Sequence, residues 1–137
     1  MSDWQLRFHH FGLAVHDPKA ARIYLKGLGY QLGEALYDPL QKVNLQMAEH
    51  ANQPRVELVW PAGESGPLDN ILQGQQGIIY HTCYTAKDVE KSIVSMQQQG
   101  LRIVPVSAPK PAILFAGKYV SFYIVRGVGL IEVLHDD

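Results

Sequence analysis

Phe8-His9-His10-Phe11-Gly12-Leu13-Ala14-Val15-His16-Asp17-Pro18 comes round a second time, in different letters, as Ile79-Tyr80-His81-Thr82-Cys83-Tyr84-Thr85-Ala86-Lys87-Asp88. His10 precedes Asp17 by 7 positions and Gly29 by 19; His81 precedes Asp88 by 7 and Gly100 by 19. A shared skeleton of this length marks two copies of one supersecondary unit. It also fixes the register: His9 corresponds to Tyr80, whereas His10 corresponds to His81.

Working outward, the apolar run Phe8 to Val15 reads as a strand, and Asp17-Pro18 supplies an N-cap and a first-turn proline for a helix. Ala21, Tyr24, Leu25 and Leu28, at helical spacing, form its expected apolar face, and Gly29 ends it. Strands are expected at Tyr30 to Ala35, Gln41 to Met47 and Arg55 to Trp60, separated by Asp38-Pro39 and by Asn52 to Pro54. The second half follows the same order. A strand from Ile78 to Thr85 leads to a helix capped by Asp88, with Val89, Ile93 and Met96 inward and Gly100 at its end. Strands follow at Leu101 to Val104, Tyr119 to Val125 and Gly129 to Leu134, with the proline-rich stretch Pro105 to Pro111 as a loop.

Each half is thus βαβββ, over residues 7–61 and 78–135, joined by a glycine-rich linker, 62–77, with one short helix around Leu68 to Leu72. The expected class is α+β, a single domain over residues 1–137. Two tandem modules, each too small to bury its own sheet face, form a curved eight-stranded mixed sheet around a pocket, helices outside.

Composition narrows the function classes. In 137 residues, 47% hydrophobic and 18% charged, there is enough apolar material for a packed core. Twelve Lys plus Arg against 13 Asp plus Glu give a net charge of −1, which provides no basic field for nucleic acid or an anionic membrane. A small molecule or another protein is the expected partner. The single cysteine, Cys83, excludes an internal disulfide and fits a reducing compartment, and the polar start, Met1 to Arg7, fits a cytoplasmic protein.

Each half opens on a strand with a histidine and closes on a strand with a glutamate. From His10 to Glu57 is 47 residues, and from His81 to Glu132 is 51. In Val56-Glu57-Leu58-Val59-Trp60 and Leu130-Ile131-Glu132-Val133-Leu134 a carboxylate interrupts an apolar strand, where an uncompensated charge is costly. Two imidazoles and two carboxylates, His10, Glu57, His81 and Glu132, are the donor set of a divalent metal site with room for water or substrate. His9, His16, His50 and His135 have no matching partner and are read as surface or supporting residues. Cys83, two positions after His81, is read first as a packing cysteine and second as a pocket residue.

With these residues in place the chain resembles the vicinal oxygen chelate superfamily, which includes glyoxalase I, methylmalonyl-CoA epimerase, extradiol dioxygenases and bleomycin-resistance proteins. His10, Glu57, His81 and Glu132 fall where that family has its four ligands. Pro61, Glu64, Ser65, Gly66, Pro67 and Leu72, after Glu57, are most similar to methylmalonyl-CoA epimerases, as is Gln41-Lys42-Val43. Tyr123 to Gly127 departs from the His-Pro-Lys-like segment usual in epimerases, and the strand Gln41 to Met47 offers Asn44 and Gln46 but no carboxylate.

The resemblance implies a metal-dependent isomerase that abstracts a proton alpha to a carbonyl, with Glu132 or Glu57 as base. It also implies one divalent ion per chain (Co, Ni, Mn, Zn or Fe), an acyl thioester or related small-molecule substrate, and a homodimer. The alternatives are a lactoylglutathione lyase of the glyoxalase I type and a small-ligand-binding relative without catalysis.

Overall fold

The computed structural model describes residues 3–63 and 65–136. Glu64, one of the residues behind the epimerase resemblance, lies outside them. In chain order the elements are β1 (Arg7–Val15), α1 (Pro18–Gly27), β2 (Gln31–Leu32), β3 (Leu36–Asp38), β4 (Val43–Glu49) and β5 (Val56–Pro61), then α2 (Leu68–Ile71). The second copy follows as β6 (Gly77–Ala86), α3 (Val89–Gln98), β7 (Ile103–Pro105), β8 (Lys110–Pro111), a 3-10 turn (Ile113–Phe115), β9 (Tyr119–Val125) and β10 (Gly129–His135). Among the described residues the structure is mostly mixed sheet with three helices, as the α+β reading expects. Among the described residues no helix is long and apolar enough to cross a membrane.

Two compact units divide the chain: His10–Tyr80, and His81–Asp137 together with Met1–His9. In the first, β1 runs parallel to β5, β5 antiparallel to β4, and both β2 and β3 pair with β4. In the second, β6 runs parallel to β10, β10 antiparallel to β9, and both β7 and β8 pair with β9. One pairing scheme serves both units, so the sequence repeat is a structural repeat.

Among the described residues the strand count is ten where the sequence suggests eight, because the second strand of each half is split. In the first half Gly33 interrupts it: the Gly33 amide donates to the Met47 carbonyl at 2.8 Å, and its own carbonyl accepts from Gln46 Nε2 at 2.8 Å. In the second half Lys110–Pro111 pairs with β9 inside the stretch read as a loop. Pro109 and Pro111 remove backbone donors there, which an edge strand tolerates and a central strand does not.

Both helices start as their sequences dictate. Asp17 accepts from the Lys19 amide at 2.8 Å, with Pro18 in the first turn, and Asp88 accepts from the Lys91 amide at 3.1 Å. Both are followed by a glycine in the left-handed region, Gly29 at φ 97° and Gly100 at φ 96°. The inward face of α1 differs from the expected one. Leu25 is buried and Ala21 half-buried, while Tyr24 and Leu28 are exposed, because Arg22 takes part of the sheet-facing stripe. Its guanidinium lies over Trp60 at 5.1 Å and its Nε donates to Gln46 Oε1 at 2.7 Å. In α3, Val89 and Met96 are buried and Ile93 packs at the margin of the same cluster, as expected.

In the first unit Val15, Leu25, Tyr30, Ala48 and Leu58 form one core cluster, between α1 and its strands. The second unit has two clusters. Ala86, Val89, Met96, Ile103, Val125, Ile131 and Val133 lie under α3, with Trp4 and Leu6 from the chain start packed against them. Cys83, Ala112, Val120 and Leu134 cluster with Phe115 and Phe122. Alternation along the strands puts Ile131 and Val133 on one face of β10 and Glu132 and Leu134 on the other.

Candidate metal centre

Glu57 and Glu132 are carried into the interior by strand geometry. β5 has Leu58 toward the α1 core, so its neighbour Glu57 points to the other face; β10 has Ile131 and Val133 under α3, so Glu132 does likewise. The parallel pairings set Gly12 beside Glu57 and Cys83 beside Glu132. His10 and His81 stand two residues earlier on β1 and β6, on the same face as those neighbours. Each unit therefore brings one imidazole against one carboxylate by the same register.

In the first unit, His10 Nε2 is 3.5 Å from Glu57 Oε1, and in the second, His81 Nε2 is 3.1 Å from Glu132 Oε1. All four side chains are buried, at 0%, 4%, 3% and 2% exposure for His10, Glu57, His81 and Glu132. Burial of ionisable groups at this level needs pairing or a metal.

The donors suit a divalent cation. Nitrogen and oxygen ligands at about 2.1 Å from one ion, at right-angled to tetrahedral spacing, stand roughly 3.0–3.4 Å apart. The His81–Glu132 pair, at 3.1 Å, lies within that range, and the His10–Glu57 pair, at 3.5 Å, lies just beyond it. Imidazole with carboxylate is also a donor set that suits first-row transition ions.

On the side away from its histidine strand each carboxylate meets an apolar cross-strand neighbour. Across the antiparallel partner, Met47 lies opposite Glu57 and Phe122 opposite Glu132. Phe122 also meets the His81 ring edge-to-face, with centroids 5.6 Å apart and planes at 89°. Sequence reading did not single out Met47 or Phe122, since the signal is their cross-strand register with the glutamates. Gln46 turns out to serve α1: it is buried, accepts from Arg22 and donates to Gly33, on the helix-facing side of β4. Asn44 shares that side and donates to the Pro61 carbonyl at 3.4 Å.

The remaining histidines act locally. His16 contacts the Gln75 carbonyl at 2.7 Å, and His50 the Leu28 carbonyl at 3.0 Å and the Asn52 amide at 2.9 Å. His135 meets Ser121 Oγ at 2.7 Å, and His9 packs edge-to-face on Phe115. Cys83 is fully buried within an apolar cluster, on the face that carries Glu132.

Among solved structures, methylmalonyl-CoA epimerase from Mycobacterium tuberculosis matches 100% of this chain and 93% of its own, with TM-score 0.79 and 19% identity. A hypothetical protein from Bacillus halodurans C-125 matches at TM-score 0.78 and 23% identity, over 96% of this chain and 95% of its own. A variant of Streptomyces coelicolor methylmalonyl-CoA epimerase, in complex with 2-nitronate-propionyl-CoA, matches at TM-score 0.72 and 18% identity, over 95% and 96%. At these identities the likeness is one of fold. No curated protein matches the sequence. The family model for the glyoxalase/bleomycin resistance protein/dioxygenase superfamily, however, matches residues 9–122, most of the chain: nearly all of the first repeat and the second as far as the middle of β9. The chain belongs to the glyoxalase/bleomycin resistance protein/dioxygenase superfamily.

Proposed function

We propose that this protein is a metal-dependent isomerase that moves a proton at the carbon alpha to a carbonyl, in the manner of a methylmalonyl-CoA epimerase, on an acyl thioester or a related small molecule. The observation that carries this reading is the duplicated buried pair, His10 with Glu57 and His81 with Glu132, in one register. Family membership and the fold shared with epimerases support it, as does the acyl-CoA compound in one of those epimerase structures.

In this reading His10, Glu57, His81 and Glu132 together hold one divalent ion of the Co, Ni, Mn, Zn or Fe type. When bound, that ion would supply positive charge for two oxygens of the substrate and for the negative charge that develops on the carbonyl oxygen. The chain's own part is proton transfer. Glu132 or Glu57 takes the alpha proton as the C–H electron pair moves toward the carbonyl; a proton drawn from solvent and delivered to the opposite side inverts the carbon, and the carboxyl proton is lost to solvent. Met47 and Phe122, opposite the two carboxylates in register, set apolar surface beside them. The same reading makes the protein a cytoplasmic homodimer whose partner is a small molecule.

The test is elemental analysis of metal-reconstituted protein, followed by incubation in deuterated water with methylmalonyl-CoA, other 2-substituted acyl thioesters and the methylglyoxal hemithioacetal of glutathione. Label entering a thioester, lost in Glu132→Gln, is the expected result. Conversion of the hemithioacetal alone assigns the protein to glyoxalase chemistry instead, and ligand binding without exchange makes it a binding protein.

A further inference from the structure

Charge counting within the proposed centre narrows its substrate. This inference rests on the four-residue metal reading above. Two glutamates contribute two negative charges and a divalent ion two positive ones, so the centre is neutral before substrate arrives. No lysine or arginine is buried anywhere in the chain: nine of the twelve are exposed, and Arg22, Arg55 and Lys110 are half-buried.

Two of these are engaged elsewhere, and the third stands apart from the carboxylates. Arg22 is committed to Gln46 and the Trp60 face, and Arg55 Nε lies 3.0 Å from Glu49 Oε1. Lys110 pairs with Val120 in β8, on the same face as Glu132 but two strands away, which at the usual strand spacing is roughly 10 Å. Lys118, further along that side, is exposed and bound to Asp136 at 2.8 Å. The cross-strand neighbours of the carboxylates, Gly12, Met47, Cys83 and Phe122, bring no charge.

We propose that the chelating end of the substrate is an uncharged pair of oxygens, as in a 2-substituted 3-oxoacyl or 2-hydroxyacyl compound, and not a free carboxylate of the malonic half-acid type. A carboxylate donor would leave an uncompensated negative charge among apolar side chains, the costly arrangement. A neutral donor leaves the centre neutral throughout. When the alpha proton passes to Glu57 or Glu132, that carboxylate becomes neutral as the substrate becomes an anion, so the total is unchanged.

Two thioesters of the same thiol that differ only in charge provide the test: 2-methylacetoacetyl-N-acetylcysteamine and methylmalonyl-N-acetylcysteamine, where a methyl group replaces a carboxylate oxygen. Titrated into cobalt-loaded full-length protein and followed by the visible cobalt spectrum, the neutral compound should bind at least about tenfold tighter. Glu57→Gln removes one negative charge and should move the ratio at least about tenfold toward the methylmalonyl compound. Glu132→Gln makes the same charge change from the other repeat and serves where Glu57→Gln loses metal. A wild-type preference for the methylmalonyl compound, or a ratio unmoved in a variant that retains cobalt, overturns the inference and leaves the metal reading standing. A protein that takes up no cobalt by elemental analysis overturns both.

Discussion

Glu132 stands directly beside Cys83 in the parallel pairing of β10 with β6, so a carboxylate and a thiol share one buried face. Glu57 has Gly12 in the equivalent place. The two halves of the candidate centre are therefore alike in their donors and unlike in the volume beside them. Adding volume at Cys83 should be felt at Glu132. Cys83→Leu is expected to destabilise the fold by about 1–3 kcal/mol through overpacking and to lower metal occupancy, whereas Cys83→Ala should retain occupancy; thermal unfolding and elemental analysis check both. In the native protein the thiol should resist a thiol reagent until the chain unfolds.

His81 and Glu132 should be coupled even without metal. Removing one partner of a buried pair leaves the other charge poorly compensated, so His81→Leu in metal-free protein should cost about 3 kcal/mol or more. The double change to leucine at both positions should cost less than the sum of the single changes. Denaturant unfolding of the four proteins in the cycle measures the coupling, and a coupling near zero contradicts the pairing.

The glycines that end α1 and α3 should differ in their sensitivity. Both have positive φ, so alanine at either should cost about 1 kcal/mol or more. A Cβ at Gly100 meets no heavy atom within 4 Å, whereas one at Gly29 comes to 3.0 Å from His50 Nε2, which itself contacts the Leu28 carbonyl. Gly29→Ala should therefore be the more damaging, and His50→Ala should remove the excess. Unfolding midpoints of the single and double variants decide this.

Asp136 should titrate low. The hydrogen bond from Lys118 at 2.8 Å, reinforced by the lysine's charge, holds its carboxyl below the ordinary aspartate range. Because the folded value is the lower one, the contribution to stability is complete above the unfolded value and disappears as pH falls through the folded one. Carbon-detected NMR titration should show the lowered value in the wild type and an ordinary one in Lys118→Ala.

Cutting the chain at Gly66 should abolish the first unit. That unit runs to Tyr80, and Leu68 and Leu72, each 2% exposed, belong to its interior. The fragment should be unfolded by circular dichroism or recover structure only as a swapped dimer. A stable monomer would contradict this account.

Much of this was legible from spacing alone. The 7- and 19-residue intervals matched His10 to His81, and caps at Asp17 and Asp88 placed both helices to within a residue or two. What escaped depends on edges and faces. Lys110–Pro111 joins the sheet despite its prolines because pairing on one side only suffices for an edge strand. Tyr24 and Leu28 match helical spacing yet lie outward, because Arg22 stacks on Trp60 and occupies the inner stripe; apolar periodicity carries no information about a cation on an aromatic ring. Met47 and Phe122 became visible beside the carboxylates only once strand register was known.

The second unit draws on both ends of the chain, with Trp4 and Leu6 packed against a cluster that includes Ile131 and Val133. During synthesis the first unit leaves the ribosome as one unbroken stretch, while Trp4 and Leu6, made before it, wait for a core whose strand β10 is made after it. While the first unit is being made those two side chains have no core to enter, and the fidelity of their docking rests on nothing having captured them in the interval.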